Sequence, residues 1–288
     1  MKSQNAILLV SCPDQKGLVT TITEFIFKNG GNIIDLDQHT DLAQQVFFMR
    51  VAWELKEFSI PKEKIGEFFK VLIADRFQMK WKLYFSGEIP KMAIFVSKYS
   101  HCLYELLSKW QSGEWKVDIP LIISNHETTK PIAQQYGIPY YYLPVTPETK
   151  IDKEKEVLEI LKKFKIDFIV LARYMQILSQ NFIAHYPNKI INIHHSFLPA
   201  FPGAKPYEKA YERGVKIIGA TSHYAADELD AGPIIEQDVV RVSHKNDIED
   251  LKRIGRDFEK IVLSRAVWLH LQRKILVHQN RTIVFNYS

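Results

Sequence analysis

Residues Ile166 to His195, IDFIVLARYMQILSQNFIAHYPNKIINIHH, decide the fold. IDFIVLA is a short, nearly unbroken apolar run, and KIINIHH is another. A strand with one wet face alternates polar and apolar side chains, whereas a run with little alternation is buried on both faces. QNFIAHYP (180–187) lies between them and reads as a helix. Strand, helix, strand at this spacing predicts a parallel pair joined by a helical crossover.

The rhythm extends upstream through MAIFVS (92–97), LYELLSKWQSG (103–113), IPLIISN (119–125), TKPIAQQYGI (129–138), YYYLPV (140–145) and EKEVLEILKKFK (154–165). Downstream, IEDLKRIGRDFEKIVLSRAVWLHLQRK (248–274) predicts a long final helix and RTIVFNYS (281–288) an added strand. Residues 92–288 are therefore expected to form a Rossmann-like, mostly parallel sheet with helices on both faces. Sites in such sheets form beyond the carboxyl ends of the strands.

Upstream of the polar break SGEIPK the pattern changes, which puts a linker at 87–91 and a separate domain at 1–86. AILLVSC, NIIDLDQHT, QVFFMRVAWEL and QMKWKLYFS are rich in β-branched and aromatic residues and read as strands. LVTTITEFIFKNGG places Leu18, Ile22, Phe25 and Ile26 at helical spacing and stops at Gly30 and Gly31. KEKIGEFFKVLIADRF predicts a second helix with Ile65, Phe68, Phe69 and Leu72 on its buried face. The order β-α-β-β-α-β is the ferredoxin-like α+β plan, an antiparallel sheet with both helices on one side.

The 288 residues are 46% hydrophobic and 25% charged, an ordinary globular balance that excludes wholesale disorder. Cys12 and Cys102 stand far apart with no ligand-like spacing, so neither a disulfide framework nor a cysteine zinc site is expected. The first apolar run is too short for a membrane span and no cleavage site follows it; a cytoplasmic protein without a membrane partner is expected. The net charge of +5 arises from lysines and arginines scattered among acids, as in KEKEVLEILKKFK, which reads as a solvated helix face and not as a nucleic-acid stripe. No G-x-G-x-x-G follows a strand, which argues against a dinucleotide-dependent oxidoreductase.

The chemistry gathers in three stretches, INIHHSFLP (191–199), GATSHY (219–224) and DELDAGPI (227–234). Side chains two apart in a strand share a face, so Asn192 and His194 point the same way. An amide, an imidazole and a carboxylate from a later loop supply the donor, proton carrier and orienting charge that acyl hydrolysis needs. Histidines of this kind also serve as packing residues, and His223 reads as a structural one. A metal set of His194, His195, His223 and Asp230 fits no familiar ligand spacing.

N-I-H-x-S-x-L-P followed by D-E-L-D-x-G-P resembles the formyltransferase family that uses 10-formyltetrahydrofolate, over residues 93 to 275. The N-terminal module, through CPDQKGLV and NGGNIIDLDQHTD, resembles an ACT regulatory domain, a combination found in the hydrolytic branch of the family. The resemblance implies Asn192, His194 and Asp230 as the catalytic trio. It also implies Gln176, Ile177 and Leu178 together with Asp227, Glu228 and Leu229 around the folate. Asp14, Gly17, Leu18, Asn32 and Ile33 would bind an amino-acid effector, with glycine and methionine the first to try, in a homo-oligomer. In the implied mechanism Asn192 and His194 hold the oxyanion, Asp230 takes the proton of the attacking water, directly or through a bound water, and holds His194 in its useful protonation state, and His194 or a relayed water protonates N10. Neither a metal nor a nucleotide cofactor is implied. Formate for purine synthesis and balance of the one-carbon folate pool would be the outcome.

The sequence also departs from the family. Transferases that formylate a phosphorylated amine follow their first strand with a glycine-rich phosphate loop, because only glycine lets backbone N–H groups approach so closely. Ser97-Lys98-Tyr99-Ser100-His101-Cys102 contains no glycine, and His195 replaces a common proline. Gly203-Ala204-Lys205-Pro206-Tyr207 also differs, and no additional nucleic-acid-binding domain is expected. Water is then the expected acceptor. Formyl transfer to an amine remains the alternative enzyme, and an amino-acid sensor on an inactive enzyme fold the alternative from another class. Cys102 could be a nucleophile but reads more simply as a buried helix-start residue.

Overall fold

A computed structural model describes residues 4–201, 203 and 205–285. The chain divides into two compact units. The first comprises the described residues up to Ile89, with Arg273–Leu276 and the described residues from Ile283 onward; the second comprises Pro90–Gln272 and Val277–Thr282.

In the first unit, β1 (Asn5–Pro13), α1 (Leu18–Lys28), β2 (Ile33–Asp41) and β3 (Val46–Glu54) lead into a 3-10 turn at Lys62–Lys64. Helix α2 (Ile65–Phe69), a π turn at Lys70–Ala74 and β4 (Lys80–Phe85) complete it. The sheet order is β2-β3-β1-β4, with every neighbour antiparallel. Leu8 and Val10 of β1 bury one sheet face against Ile22 and Ile26 of α1 and Ile65 and Phe69 of α2. Leu9 and Phe48, pointing the other way, pack with Phe285. That contact explains why the C-terminal segments group with the first unit, although the sequence places all of 92–288 in the second domain.

The buried face of α2 differs from the expected one. Ile65, Phe69 and Ile73 are buried, whereas Phe68 is 42% and Leu72 57% exposed. Winding into a π turn after Phe69 carries the apolar stripe along a spacing of four, and Phe68 and Leu72 fall outside it.

The second unit runs β5 (Lys91–Val96), α3 (His101–Gln111), β6 (Asp118–Ser124), α4 (Lys130–Gln135), β7 (Tyr140–Tyr142) and α5 (Lys150–Phe164). It continues with β8 (Phe168–Ala172), α6 (Gln180–Ala184), β9 (Ile190–His194), α7 (Pro206–Arg213), β10 (Ile217–Tyr224), β11 (Ile234–Arg241) and α8 (Ile248–Leu271). Beyond it, β12 (Ile275–His278) and β13 (Arg281–Val284) pair with each other. The seven-stranded sheet has the order β11-β10-β9-β8-β5-β6-β7. Strands β5 to β9 are mutually parallel, and β10 and β11 close one side antiparallel.

Side chains of successive residues in β8 show that both faces are covered. Ile169 packs in the cluster that includes Val157 and Leu161 of α5 and Phe182 of α6. Its neighbour Phe168 meets His270 of α8 at 4.7 Å between ring centroids. The capping box at Asp247 and Asp250 starts α8, and this long helix lies along β9, β10 and β11.

Candidate active site

Strand β9 ends at His194 beside antiparallel β10, in a register that pairs Asn192 with His223. Asn192 Nδ2 stands 3.2 Å from His223 Nε2. The opposite ring nitrogen, His223 Nδ1, lies 2.9 Å from the Tyr224 carbonyl, which can only accept, so Nδ1 carries the proton and Nε2 receives the Asn192 amide. His194 Nδ1 is 3.1 Å from Asp230 Oδ2, and His223 Nε2 is 3.7 Å from Asp230 Oδ1. Asn192, His194 and Asp230 therefore meet, with His223 between the amide and the carboxylate.

Local chain geometry fixes this arrangement. Asp230 arrives on the loop between β10 and β11 with a left-handed backbone, φ 58°, a conformation that Asp tolerates better than most residues. The Gly203 amide donates to its Oδ2 at 3.3 Å. Two residues later the chain passes so close to β10 that a Cβ on Gly232 would sit 1.8 Å from the Tyr224 carbonyl oxygen, which accounts for the glycine in DELDAGP. On the β9 side, Thr221 Oγ1 donates to the Ser196 carbonyl at 2.8 Å and accepts from the Leu198 amide at 3.0 Å. Ser196 Oγ caps the turn on the Ala200 carbonyl at 2.7 Å. The Ser and Leu of N-I-H-x-S-x-L-P thus tie the loop after His194 to the neighbouring strand.

Burial by itself would raise the proton affinity of Asp230. The hydrogen bond from His194, its charge and the Gly203 amide outweigh burial and hold the carboxyl well below the usual carboxylate range. A group so reluctant to protonate is a poor base. Its strength is as a fixed negative partner for the His194 ring, and this changes the role expected for Asp230 as acceptor of the water proton. His194 Nε2 is buried and hydrogen-bonds no described residue.

His194, Asn192 and Asp230 open onto a cavity of about 540 Å³ in the second unit. Gln176, Ile177, Leu178, Asp227, Glu228 and Leu229 all line it as well. Ser97 Oγ receives the Met175 amide at 3.0 Å and donates to Asn125 Oδ1 at 2.6 Å, which ties the 175–178 segment to the ends of β5 and β6. Ile177 is 58% and Leu229 53% exposed, so apolar side chains edge the opening.

His195 also lines this cavity, with its ring centroid 5.2 Å from that of His194. Strand alternation would have sent it to the opposite face, but β9 has ended and the alternation no longer holds. Burial and the charge of Arg173 push its imidazole down to about 3, so the ring is neutral at neutral pH.

A buried cluster that the sequence reading did not single out adjoins His195. Glu259, 1% exposed, accepts from Tyr207 Oη at 2.7 Å, lies 2.7 Å from His101 Nε2 and is 3.4 Å from Arg173 Nε. Arg173 follows β8 directly, a strand-end position that could have flagged it. Glu259 is one acid among many in a charged helix, and nothing in the sequence marks it. Tyr207 fits against α8 only because residue 255 is glycine, where a Cβ would lie 1.9 Å from the phenol oxygen. His101, Cys102 and Glu259 bring their donor atoms within 4.8 Å of one another. The set does not suit a cation, because the Arg173 guanidinium shares the carboxylate and burial, followed by the Glu259 charge, drives the Cys102 thiol far above its usual range. The same shift removes Cys102 as a nucleophile. Ala204 of the 203–207 stretch lies outside the described residues.

The five residues assigned to an effector pocket do not converge within one chain. Asp14, Gly17 and Leu18 follow the end of β1 where Pro13 pairs with Val46, whereas Ile33 pairs with Trp53. Seven residues of β3 separate these levels, about 23 Å at ~3.3 Å per residue. Leu18 is buried in the core, and Asn32 Nδ2 donates to Glu54 at 3.0 Å.

The model of the formyl transferase family matches residues 90–267, which gives the class to which this sheet and its Asn-His-Asp centre belong. Formyltetrahydrofolate deformylase of Synechocystis sp. is 54% identical over 99% of this chain and 100% of its own length. That of Bacillus subtilis is 49% identical over 97% of this chain and 93% of its own. The crystal structure of a formyltetrahydrofolate deformylase from Pseudomonas syringae superposes with a TM-score of 0.96 at 43% identity, covering 99% of this chain and 96% of that one. The chain belongs to the formyltetrahydrofolate deformylase family. Glycinamide ribonucleotide transformylase 1 from Symbiobacterium toebii aligns over 71% of the chain with a TM-score of 0.66 and 27% identity.

Proposed function

We propose that the protein hydrolyses 10-formyltetrahydrofolate to formate and tetrahydrofolate. The observation that carries this is the His194–Asp230 pair at 3.1 Å, with His194 Nε2 left unpartnered among the described residues and Asn192 at the same cavity. Asp230 accepts the hydrogen bond of the His194 Nδ1–H, which leaves Nε2 as the base that faces the substrate. Water adds its oxygen to the formyl carbon while Nε2 takes a water proton, and the Asn192 amide donates to the oxyanion; such a donor contributes about 3 kcal/mol. The tetrahedral intermediate then breaks its bond to N10, which receives the Nε2 proton. Formate leaves as an anion and the remaining proton goes to solvent. No step calls on a metal or a nucleotide.

Gln176, Ile177 and Leu178 on one wall and Asp227, Glu228 and Leu229 on the other are suited to hold the folate, the first group through backbone groups. The test is formate release from 10-formyltetrahydrofolate by the purified protein, with and without added amines. Amine-dependent consumption of the formyl group without formate would favour transfer instead.

Residues 1–86, followed by a linker at 87–91, are proposed as an ACT-type regulatory domain for an amino acid such as glycine or methionine. Asp14, Gly17 and Leu18 can share a pocket with Asn32 and Ile33 only if two copies contribute, so this reading requires a homo-oligomer. Exposed Phe27, Ile34, Leu36 and Leu42 in this unit supply apolar surface for such pairing. Deleting residues 1–85 should abolish assembly and the response to both amino acids; retention of both refutes the assignment. Among the described residues no helix is long and apolar enough to cross a membrane. A cytoplasmic setting suits the two buried free thiols, and formate supply for purine synthesis with balance of the folate pool suits the reaction.

A further inference from the structure

Hydrolysis of a formyl group creates a carboxylate where none existed, beside the ionised Asp230. Two carboxylates at that range repel, so the product is driven from its birthplace toward positive charge. The cavity supplies it on the wall formed by α3, α7 and α8. From His194 the wall continues through the His195 ring at 5.2 Å, the Tyr207 ring 5.8 Å beyond that, and Glu259 at 2.7 Å from the phenol, to Arg173. The Arg173 side chain is 9% exposed; its Nε faces Glu259 at 3.4 Å, and its Nη1 hydrogen-bonds no described residue. A buried guanidinium donor left without a partner is costly, which favours an anion at that place. Lys205 and Arg256 line the same wall, so the charge there does not end with the Arg173–Glu259 pair.

We propose that Arg173 is the seat of the formate product, holding the carboxylate by its guanidinium donors after the bond to N10 has broken. The fork geometry of arginine matches the two oxygens of a carboxylate. Glu259 keeps the guanidinium in place, and Tyr207 and His101 keep Glu259 in place. Arg173 is thus a product-binding residue.

This rests on the hydrolytic reading, and the test separates the two. Saturable line broadening of [13C]formate is measured on the ligand-free full-length protein, alongside a separate turnover assay with 10-formyltetrahydrofolate. Wild type should bind formate; Arg173→Gln should weaken it at least tenfold, and Arg173→Lys, which keeps the charge beside Glu259 but loses the fork, should weaken it several-fold. If Arg173→Gln fails to fold, Arg173→Lys decides. Wild-type affinity in a folded variant overturns the proposal, as does sulfate or phosphate displacing formate at lower concentration than acetate or formate itself. Absence of turnover with Arg173-dependent formate binding intact would instead sink the hydrolytic reading alone.

Discussion

Replacing Asp230 with Asn removes one charge and almost no volume. In the native site the carboxylate faces the His194 ring at 3.1 Å, and both side chains are about 5% exposed. A unit charge pair at that separation is worth about 5 kcal/mol at an effective dielectric near 20. That attraction grows in as His194 takes the water proton, so it belongs to the transition state. At ~1.4 kcal/mol per decade, losing it lowers turnover by about 10³–10⁴-fold. A second effect acts in the same direction. An Asn amide can donate to Nδ1, which moves the imidazole proton to Nε2 and leaves no base facing the substrate. Affinity for a non-hydrolysable folate should stay within a few-fold, since Asp230 is matched to the ring and not to the pterin. The assay is steady-state formate release paired with folate binding. Turnover within tenfold of wild type refutes the reasoning, and equal losses in turnover and folate affinity would move Asp230 from chemistry to binding.

His223→Phe keeps a flat aromatic ring but loses the bond to Asn192 and the 2.9 Å bond to the Tyr224 carbonyl. A misplaced oxyanion donor should lower kcat by about 10²-fold with little change in KM, and a pure KM effect would show that His223 does not position Asn192. Gly232→Ala forces a methyl to within 1.8 Å of a backbone carbonyl, so the Asp230 loop must shift. Thermal unfolding should reveal a loss near 3 kcal/mol together with lost turnover, the upper end of ordinary overpacking. His195 carries a folded-state value of about 3 against 6.5 for the free residue, so the unfolded chain binds the extra proton between those limits. Stability should therefore fall as pH drops from about 6.5 toward 3, by up to ~1.4 kcal/mol per unit, and His195→Asn should flatten that slope. Parallel slopes in wild type and variant would assign the acid loss to other groups.

Much of the fold was legible because hydrophobic periodicity is a local property. IDFIVLA and KIINIHH lack a wet face and became the buried strands β8 and β9, and the β-α-β-β-α-β run of the first unit became an antiparallel sheet in the order β2-β3-β1-β4. The second helix shows the limit of that logic, since one π turn redirected its stripe away from Phe68 and Leu72.

The sequence by itself determined which residue types could meet: an amide and an imidazole two apart on a strand, and an acid on a glycine-containing loop about thirty residues on. Only the tertiary structure decided their roles. It set His223 between Asn192 and Asp230, turned His195 into the cavity once its strand had ended, and gathered Arg173, Glu259, His101 and Tyr207 from four separate elements. It also put the proposed effector residues at opposite ends of one sheet. The physical reason is that periodicity reports which face a side chain takes within its own element, whereas hydrogen bonds and charge pairs depend on registers and loop closures that join residues far apart in the chain.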